Sequence, residues 1–194
     1  MNQSYLSLRA KIEALIPLND DEWNLLLPYL QEKTLRKNSL FAREGKVAKE
    51  IGFILHGNMR HYYTKDGEEK TTYFYFENHF VCDYISCITN KPGLLTIECL
   101  TDTTMVVFPY ERILACYQQS LNWSHFGRMI AEYLASGLEE RMSGLLLLTP
   151  EERYLQLLKS NKQKILERIP QHLIANYLGI TPVSLSRIRN RIHQ

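Results

Sequence analysis

The chain has 194 residues, a mass of 22.8 kDa and a formal net charge of +2, and 45% of its residues are hydrophobic. Such a chain folds into one or two globular domains. Its apolar runs are too short to cross a bilayer, and its first residues do not form a secretory signal, so we expect a cytoplasmic protein with no membrane partner.

The first half of the chain predicts two helices followed by a β-rich region. The helices cover residues 4–16 and 20–30, and the strands lie between Thr34 and Phe108. Within this region Lys65-Asp66-Gly67-Glu68 predicts a hairpin, because Asp-Gly suits a two-residue turn. Many short strands separated by turns predict a small antiparallel barrel or sandwich, and the chain as a whole is of the α+β class.

A long helix is predicted after the strands. A short helix from Pro109 to Gln119 precedes one from Asn122 to Leu148, which would be about 40 Å long. Its apolar side chains recur at helical spacing and predict a dimer seam, with a core helix of a monomer as the alternative. The predicted dimer contacts are Phe126, Ile130, Leu134, Leu138, Met142 and Leu145.

Thr149-Pro150-Glu151-Glu152 ends the long helix and begins the next one. Thr-x-x-Glu is a capping box, and Pro is favoured at the first helical position. We therefore divide the chain into an effector-type β domain (residues 1–121), a dimerisation helix (122–148) and a C-terminal domain (149–194).

The C-terminal stretch QHLIANYLGITPVSLSRIRNRI (residues 171–192) has the pattern of a helix-turn-helix. Small Ala175 lets two helices approach, Gly179 suits the turn, and Thr181 caps a second helix. A structural helical hairpin is the alternative. The predicted DNA-binding residues are Thr181, Pro182, Val183, Ser184, Ser186, Arg187, Asn190 and Arg191.

Charge is concentrated at the same end of the chain. Residues 150–194 contain eight Lys or Arg residues and three Glu residues, a net charge of +5 against +2 for the whole chain. A basic end on a nearly neutral chain is typical of a module that binds phosphates. An ordinary solvated helix face is the alternative interpretation.

The cysteines and histidines match no common metal-binding spacing. Cys82, Cys87, Cys99 and Cys116 match no common zinc spacing, so we expect buried inert thiols, with redox sensing as the alternative. An enzyme of the cupin kind would need metal ligands such as His56, His61 and His79, but their spacing is wrong for a His-x-His motif. We expect no enzyme, no catalytic residue, no metal and no cofactor. A ligand- or protein-binding module that no longer reads DNA is the remaining alternative.

Three segments resemble the Crp/Fnr family of bacterial transcription regulators. They are ILHGNMRHYYTKDGEEKTTYFYF (residues 54–76), the long helix, and LIANYLGITPVSLSRIR (173–189). The resemblance implies a homodimer that binds a near-palindromic site in double-stranded DNA, with RNA polymerase as a further partner. It places a base-contacting arginine at Arg187 and a phosphate or base contact at Ser184.

The chain departs from the family in two places. Members that bind cyclic nucleotides hold the phosphate with Gly-Glu and Arg-Ser or Arg-Thr, and residues 78–100 contain neither pair. We therefore expect no binding of cyclic AMP or cyclic GMP; the effector is unknown, and the pocket is either filled or takes an uncharged ligand. Its candidate lining is Tyr73, Tyr75, Tyr84, Lys91 and Thr96. The segment from Ser160 to Arg168 is short for a two-stranded wing, which predicts a reduced wing.

Overall fold

A computed structural model describes residues 2–159 and 163–192 of the chain. Helices and antiparallel strands occur in one chain, as the predicted α+β class requires. The helices are α1 (Gln3–Glu13), α2 (Asp20–Leu26), α3 (Tyr84–Thr89), α4 (Tyr110–Gln119), α5 (Leu121–Leu147), α6 (Pro150–Lys159), α7 (Gln163–Arg168), α8 (Gln171–Leu178) and α9 (Pro182–Ile192), with a 3-10 turn at Leu27–Tyr29. The strands are β1 (Gln31–Leu35), β2 (Leu40–Ala42), β3 (Glu50–His56), β4 (Met59–Lys65), β5 (Glu68–Tyr75), β6 (Phe80–Val81), β7 (Leu95–Cys99) and β8 (Thr103–Pro109).

The strands form two four-stranded sheets. One sheet has the order β1-β8-β3-β6 and the other the order β2-β7-β4-β5. In the first sheet Val107 of β8 lies opposite Gln31 of β1 on one side and Gly52 of β3 on the other. Both pairings are antiparallel, although neither pair of strands is consecutive in the chain.

The hairpin predicted from Asp-Gly is present between β4 and β5. Asp66 and Gly67 have φ values of 54° and 80°, which is the left-handed conformation that a tight hairpin turn requires. Aspartate and glycine are among the residues that adopt this conformation at low cost.

Two compact units divide the chain. One contains residues 1–61 and 74–133, and the other contains residues 62–73 and 134–194. The second unit therefore combines the tip of the β4–β5 hairpin, the C-terminal half of α5 and all helices after it. The division falls inside α5, whereas the sequence pattern had suggested boundaries at its two ends.

The core of the first unit is built around large aromatic side chains. Trp23, Phe53 and Trp123 are fully buried, and Phe126 packs against both Trp123 and Phe80 with ring centroids 5.6 Å apart. Phe126 is only 4% exposed, which leaves little of its surface for the dimer contact predicted for it. It belongs to the internal core because it lies on the face of α5 that the first unit covers.

Helix α7 occupies residues 163–168, within the segment for which a reduced wing was predicted, while residues 160–162 of that segment lie outside the described residues. Helix α3 interrupts the region that was predicted to be β. Asp83 caps it by accepting a hydrogen bond from the Ser86 amide, which favours a helical start despite the β-branched residues that follow.

Candidate nucleic-acid interface

The turn between α8 and α9 has the geometry predicted from its sequence. Gly179 adopts φ of 73°, and its amide bonds back to the Asn176 carbonyl at 3.0 Å. Thr181 then caps α9, because its hydroxyl accepts the Ser184 amide at 3.2 Å. The chain thus ends one helix and begins another within three residues.

Apolar side chains hold the two helices together. Ala175 has no exposed surface, which allows the close approach that its small size suggested. The buried side chains of this layer are Leu173, Ile174, Ala175 and Leu178 of α8 and Leu185 and Ile188 of α9. Their burial fixes which face of α9 is available to a partner.

The opposite face of α9 carries polar and basic side chains. Since successive helical residues are rotated by about 100°, Arg187 lies about 40° to one side of Val183 and Asn190 about 20° to the other. These three residues form a ridge, which we call the reading ridge, and Val183 is 60% exposed. Leu185 and Ile188 point away from it into the core.

Clefts flank the reading ridge on both sides. One, of about 770 Å³, lies between α9 and the start of α6, and Ser184, Arg187 and Arg191 face it. The other, of about 470 Å³, is bordered by Pro182, Ser186 and Arg189 of α9, together with Gln171 of α8. Asn190 borders both clefts, which is consistent with its place on the ridge.

One predicted contact residue already has a protein partner. Arg191 forms an ion pair with Glu151 at 2.6 Å, between α9 and the first turn of α6. Thr149 caps α6 as its sequence indicated, because the Glu152 amide donates to the Thr149 hydroxyl and the Thr149 amide donates to Glu152. Glu151 therefore stands in a fixed turn beside the cleft that Arg187 also lines.

The end of α8 is held by two arginines. Arg141 of α5 donates to the Tyr177 carbonyl and stacks on the Tyr177 ring, 4.1 Å from its centroid. Arg153 of α6 donates to the Leu178 carbonyl at 3.0 Å and to the Leu148 carbonyl at 2.6 Å. Burial lowers the pKa of Arg141. A positive charge near the C-terminal carbonyls stabilises a helix, because it attracts the partial negative charge at that end of the helix dipole.

The C-terminal half of α5 exposes an apolar stripe. Leu138 is 68% exposed, and Met142 and Leu145 are about half exposed. Leu134 is half-buried, and Ile130 packs against the core of the first unit. Large apolar side chains this exposed at helical spacing are typical of a surface that a partner covers.

Residues 83–93 of the β domain form a closed internal network. Asp83 is 2% exposed and accepts the Ser86 amide, and the Ser86 hydroxyl donates to the Lys91 carbonyl at 2.6 Å. A Cβ on Gly93 would lie 1.8 Å from an Asp83 carboxylate oxygen, so that carboxylate packs directly on the glycine. Burial raises the pKa of Asp83. An acidic group therefore occupies the segment where the resemblance would place a cyclic phosphate.

The candidate pocket residues have separate surroundings. Tyr75 stacks on His61 with its hydroxyl 3.4 Å from Nδ1, and the buried Thr96 hydroxyl accepts the Glu44 amide. Tyr84 packs on the core of the first unit and Lys91 is exposed, whereas Tyr73 belongs to the second unit.

Burial shifts the pKa of several other groups. Burial raises the pKa of Cys116 to about 11 and lowers that of His61 to about 4. The hydrogen bond with Cys87, together with burial, raises the pKa of Cys82. Across residues 2–159 and 163–192, His, Cys, Asp and Glu side chains form no cluster that could hold a metal ion.

Sequence reasoning missed two functional candidates. Arg60 of β4 is buried and pairs with Glu98 of β7 at 2.7 Å, and it lies outside residues 78–100, where the resemblance would place the phosphate ligands. Asn176 of α8 bonds to the backbone of β5 more than 100 residues earlier. Neither pairing leaves a local signal in the sequence.

Known proteins share this architecture. Residues 32–120 match the cyclic nucleotide-binding domain family. FixK2 from Bradyrhizobium japonicum has a similar structure, with a TM-score of 0.72 and 19% identity over 84% of each chain. A variant of CooA from Carboxydothermus hydrogenoformans aligns with a TM-score of 0.68 and 16% identity, covering 86% of this chain and 78% of that one.

A Crp/Fnr-assigned regulator from Eubacterium rectale is also similar. It aligns with a TM-score of 0.69 and 18% identity, covering 91% of this chain and 84% of that one. A search of curated proteins by sequence found no match. Among the described residues, none of the helices is both long and apolar enough to cross a membrane. The resemblance noted from the sequence is thus confirmed in one domain and in the fold.

Proposed function

We propose that this chain is a homodimeric, sequence-specific DNA-binding transcription regulator. Its residues 32–120 match the cyclic nucleotide-binding domain family, and it has the fold of the Crp/Fnr regulators. It acts as a binding protein and has no enzymatic activity of its own. It is located in the cytoplasm, where it binds double-stranded DNA and contacts RNA polymerase.

The reading ridge carries this proposal. An exposed helix face with Arg187 and Asn190 side by side suits the major groove, because Arg pairs with guanine and Asn with adenine through two hydrogen bonds each. Val183 adds an apolar contact that fits a thymine methyl group. The net charge of +5 over residues 150–194 favours the phosphates on either side.

The exposed stripe on α5 supports a dimer. Leu138, Met142 and Leu145 would bury their apolar surface against a second copy, as in a coiled coil. A two-fold dimer presents two reading ridges to two half-sites, which matches a near-palindromic DNA sequence. In this scheme residues 1–121 form the effector-type domain, 122–148 the dimerisation helix and 149–194 the DNA-binding domain.

We further propose that the β domain does not bind cyclic AMP or cyclic GMP. A buried cyclic phosphate needs charge-assisted hydrogen bonds, and Asp83 would instead oppose it with a buried carboxylate. Arg60 is already engaged by Glu98.

DNA binding by the purified protein tests the proposal. Fluorescence anisotropy with genomic promoter fragments should show saturable binding that survives excess nonspecific competitor DNA. Binding that the competitor abolishes completely would contradict sequence-specific recognition and would favour a module whose helix-turn-helix no longer reads DNA.

A further inference from the structure

The side chain of Asn176 joins helix α8 to strand β5. Its Nδ2 donates to the Glu69 carbonyl at 2.8 Å, and its Oδ1 accepts from the Thr71 amide at 2.6 Å. Both strand positions belong to the same compact unit as α8. We call this pair of hydrogen bonds the Asn176 clamp.

The clamp occupies the edge of a sheet. β5 is the last strand in the order β2-β7-β4-β5. Residues two apart in a strand direct their backbone groups to the same side, so the Glu69 carbonyl and the Thr71 amide can bond to one neighbour. The Asn176 side chain makes the two hydrogen bonds that the N–H and C=O of one residue in an added parallel strand would make, and it covers an edge that proteins do not usually leave open.

The burial of Thr71 makes the hydrogen bonds of the clamp energetically important. Thr71 is 2% exposed, so without Asn176 its amide would lose a partner in a place that water reaches poorly. A buried donor left without an acceptor is costly, whereas an exposed one is readily hydrated. The contact is therefore expected to persist in solution.

Three successive residues of α8 contact three different elements. Asn176 binds the hairpin, the Tyr177 carbonyl binds Arg141 of α5, and the Leu178 carbonyl binds Arg153 of α6. The next residue, Gly179, begins the turn into α9. The orientation of the reading ridge is therefore set at this junction, and the hairpin tip is one of its three supports.

We propose that Asn176 is a positioning residue, which with the hairpin tip (residues 62–73) holds the recognition helix in the orientation that a two-half-site DNA requires. This inference rests on the proposed function. A dimer must present both reading ridges at one spacing, so loss of a support costs affinity through lost preorganisation. A single half-site sets no such spacing.

Asn176→Ala tests the inference, with Gln156→Ala, an exposed amide of α6, as the matched control. On DNA carrying two half-sites, chosen by selection with the wild-type protein, Asn176→Ala should weaken binding about tenfold, equivalent to about 1.4 kcal/mol. On a single half-site it should weaken binding by less than about twofold. The control should change neither affinity.

Amide hydrogen exchange measured by NMR supplies a readout that does not involve DNA. The Thr71 amide should exchange at least about tenfold faster in Asn176→Ala. Asn176→Asp keeps the acceptor for Thr71 and should retain most of its protection, and it also serves if the alanine variant does not fold. An unchanged Thr71 exchange rate would overturn the clamp, and equal losses on both DNAs, or no loss, would overturn its positioning role. If the wild-type protein bound no DNA, the proposed function would fail, while the Thr71 exchange rate would still decide whether the clamp exists.

Discussion

Arg191 on the recognition helix and Glu151 at the start of α6 form an ion pair at 2.6 Å beside the cleft that Arg187 lines. In the proposed complex with DNA, Glu151 would compete with phosphates for Arg191. Both side chains are substantially exposed, so the pair adds little to the stability of the fold.

Glu151→Gln should therefore strengthen DNA binding. The change frees Arg191 and removes a negative charge beside the reading ridge, so we expect about two- to fivefold tighter binding at low salt and a steeper salt dependence. Anisotropy titrations over a range of salt concentrations measure both effects. Glu167→Gln, at an exposed position of α7, is the control; equal affinities for the Glu151 and Glu167 variants would refute the competition.

Leu138→Glu should convert the dimer to a monomer. The side chain is 68% exposed in the single chain, so the charge is tolerated there, but it would be buried without a partner at the seam. Sedimentation equilibrium at micromolar concentration measures the mass. Leu121→Glu makes the same change at an exposed position at the beginning of α5 and should remain dimeric. A Leu138→Glu protein that stays dimeric would place the interface elsewhere.

Cyclic AMP and cyclic GMP should produce no saturable heat in calorimetric titrations. The physical reason is the buried Asp83 carboxylate packed on Gly93, which leaves an incoming cyclic phosphate without a compensating charge. Micromolar binding of either nucleotide to the wild-type protein would show that this network opens. Arg60 would then be the first residue to substitute, because it is a buried cation of the domain.

Acid should destabilise the fold through His61. Burial lowers the pKa of His61 from 6.5 to about 4, so the unfolded chain binds a proton that the folded chain refuses. Stability from this group is complete above pH 6.5 and is lost as the pH falls towards 4, by up to about 3 kcal/mol. Urea unfolding at several pH values measures the slope.

His61→Gln should flatten that slope between pH 6.5 and 4, since glutamine does not titrate. His172→Gln, at an exposed position of α8, should leave it unchanged. An equally steep slope in the His61 variant would assign the acid sensitivity to other groups.

Arg187→Ala should relax base preference, whereas Arg189→Ala should weaken all sequences alike. Arg187 lies on the reading ridge, and its loss should cost about 1–3 kcal/mol at the preferred site. Arg189 borders the second flanking cleft. If Arg189 contacts a phosphate there, removing its side chain should reduce the salt dependence of DNA binding. Competition assays with single-base variants of the site separate these effects. An Arg187→Ala protein with intact preference would remove this residue from base recognition.

Local signals explain which parts of the fold the sequence predicts well. The Thr181 cap, the Gly179 turn and the Asp66-Gly67 hairpin depend on a few adjacent residues, so their conformations follow from residue type. Helix α3 was missed because its Ile and Thr residues favour strands, and only the Asp83 cap points to a helix.

Long-range contacts explain what could not be predicted. Phe126 has the same helical spacing as the exposed stripe, and only the packing of Phe80 and Trp123 reveals that it is internal. The bonds from Asn176 to β5 join segments more than 100 residues apart. Such pairings depend on how separate elements meet, which hydrophobic periodicity does not specify.

Selection of bound DNA from a random pool tests the central claim most directly. We expect enrichment of a near-palindromic motif whose half-sites lie about one helical turn apart, roughly 10 base pairs centre to centre, or a multiple of this. Recovery of unrelated sequences with no shared motif would contradict sequence-specific recognition by the reading ridge of α9.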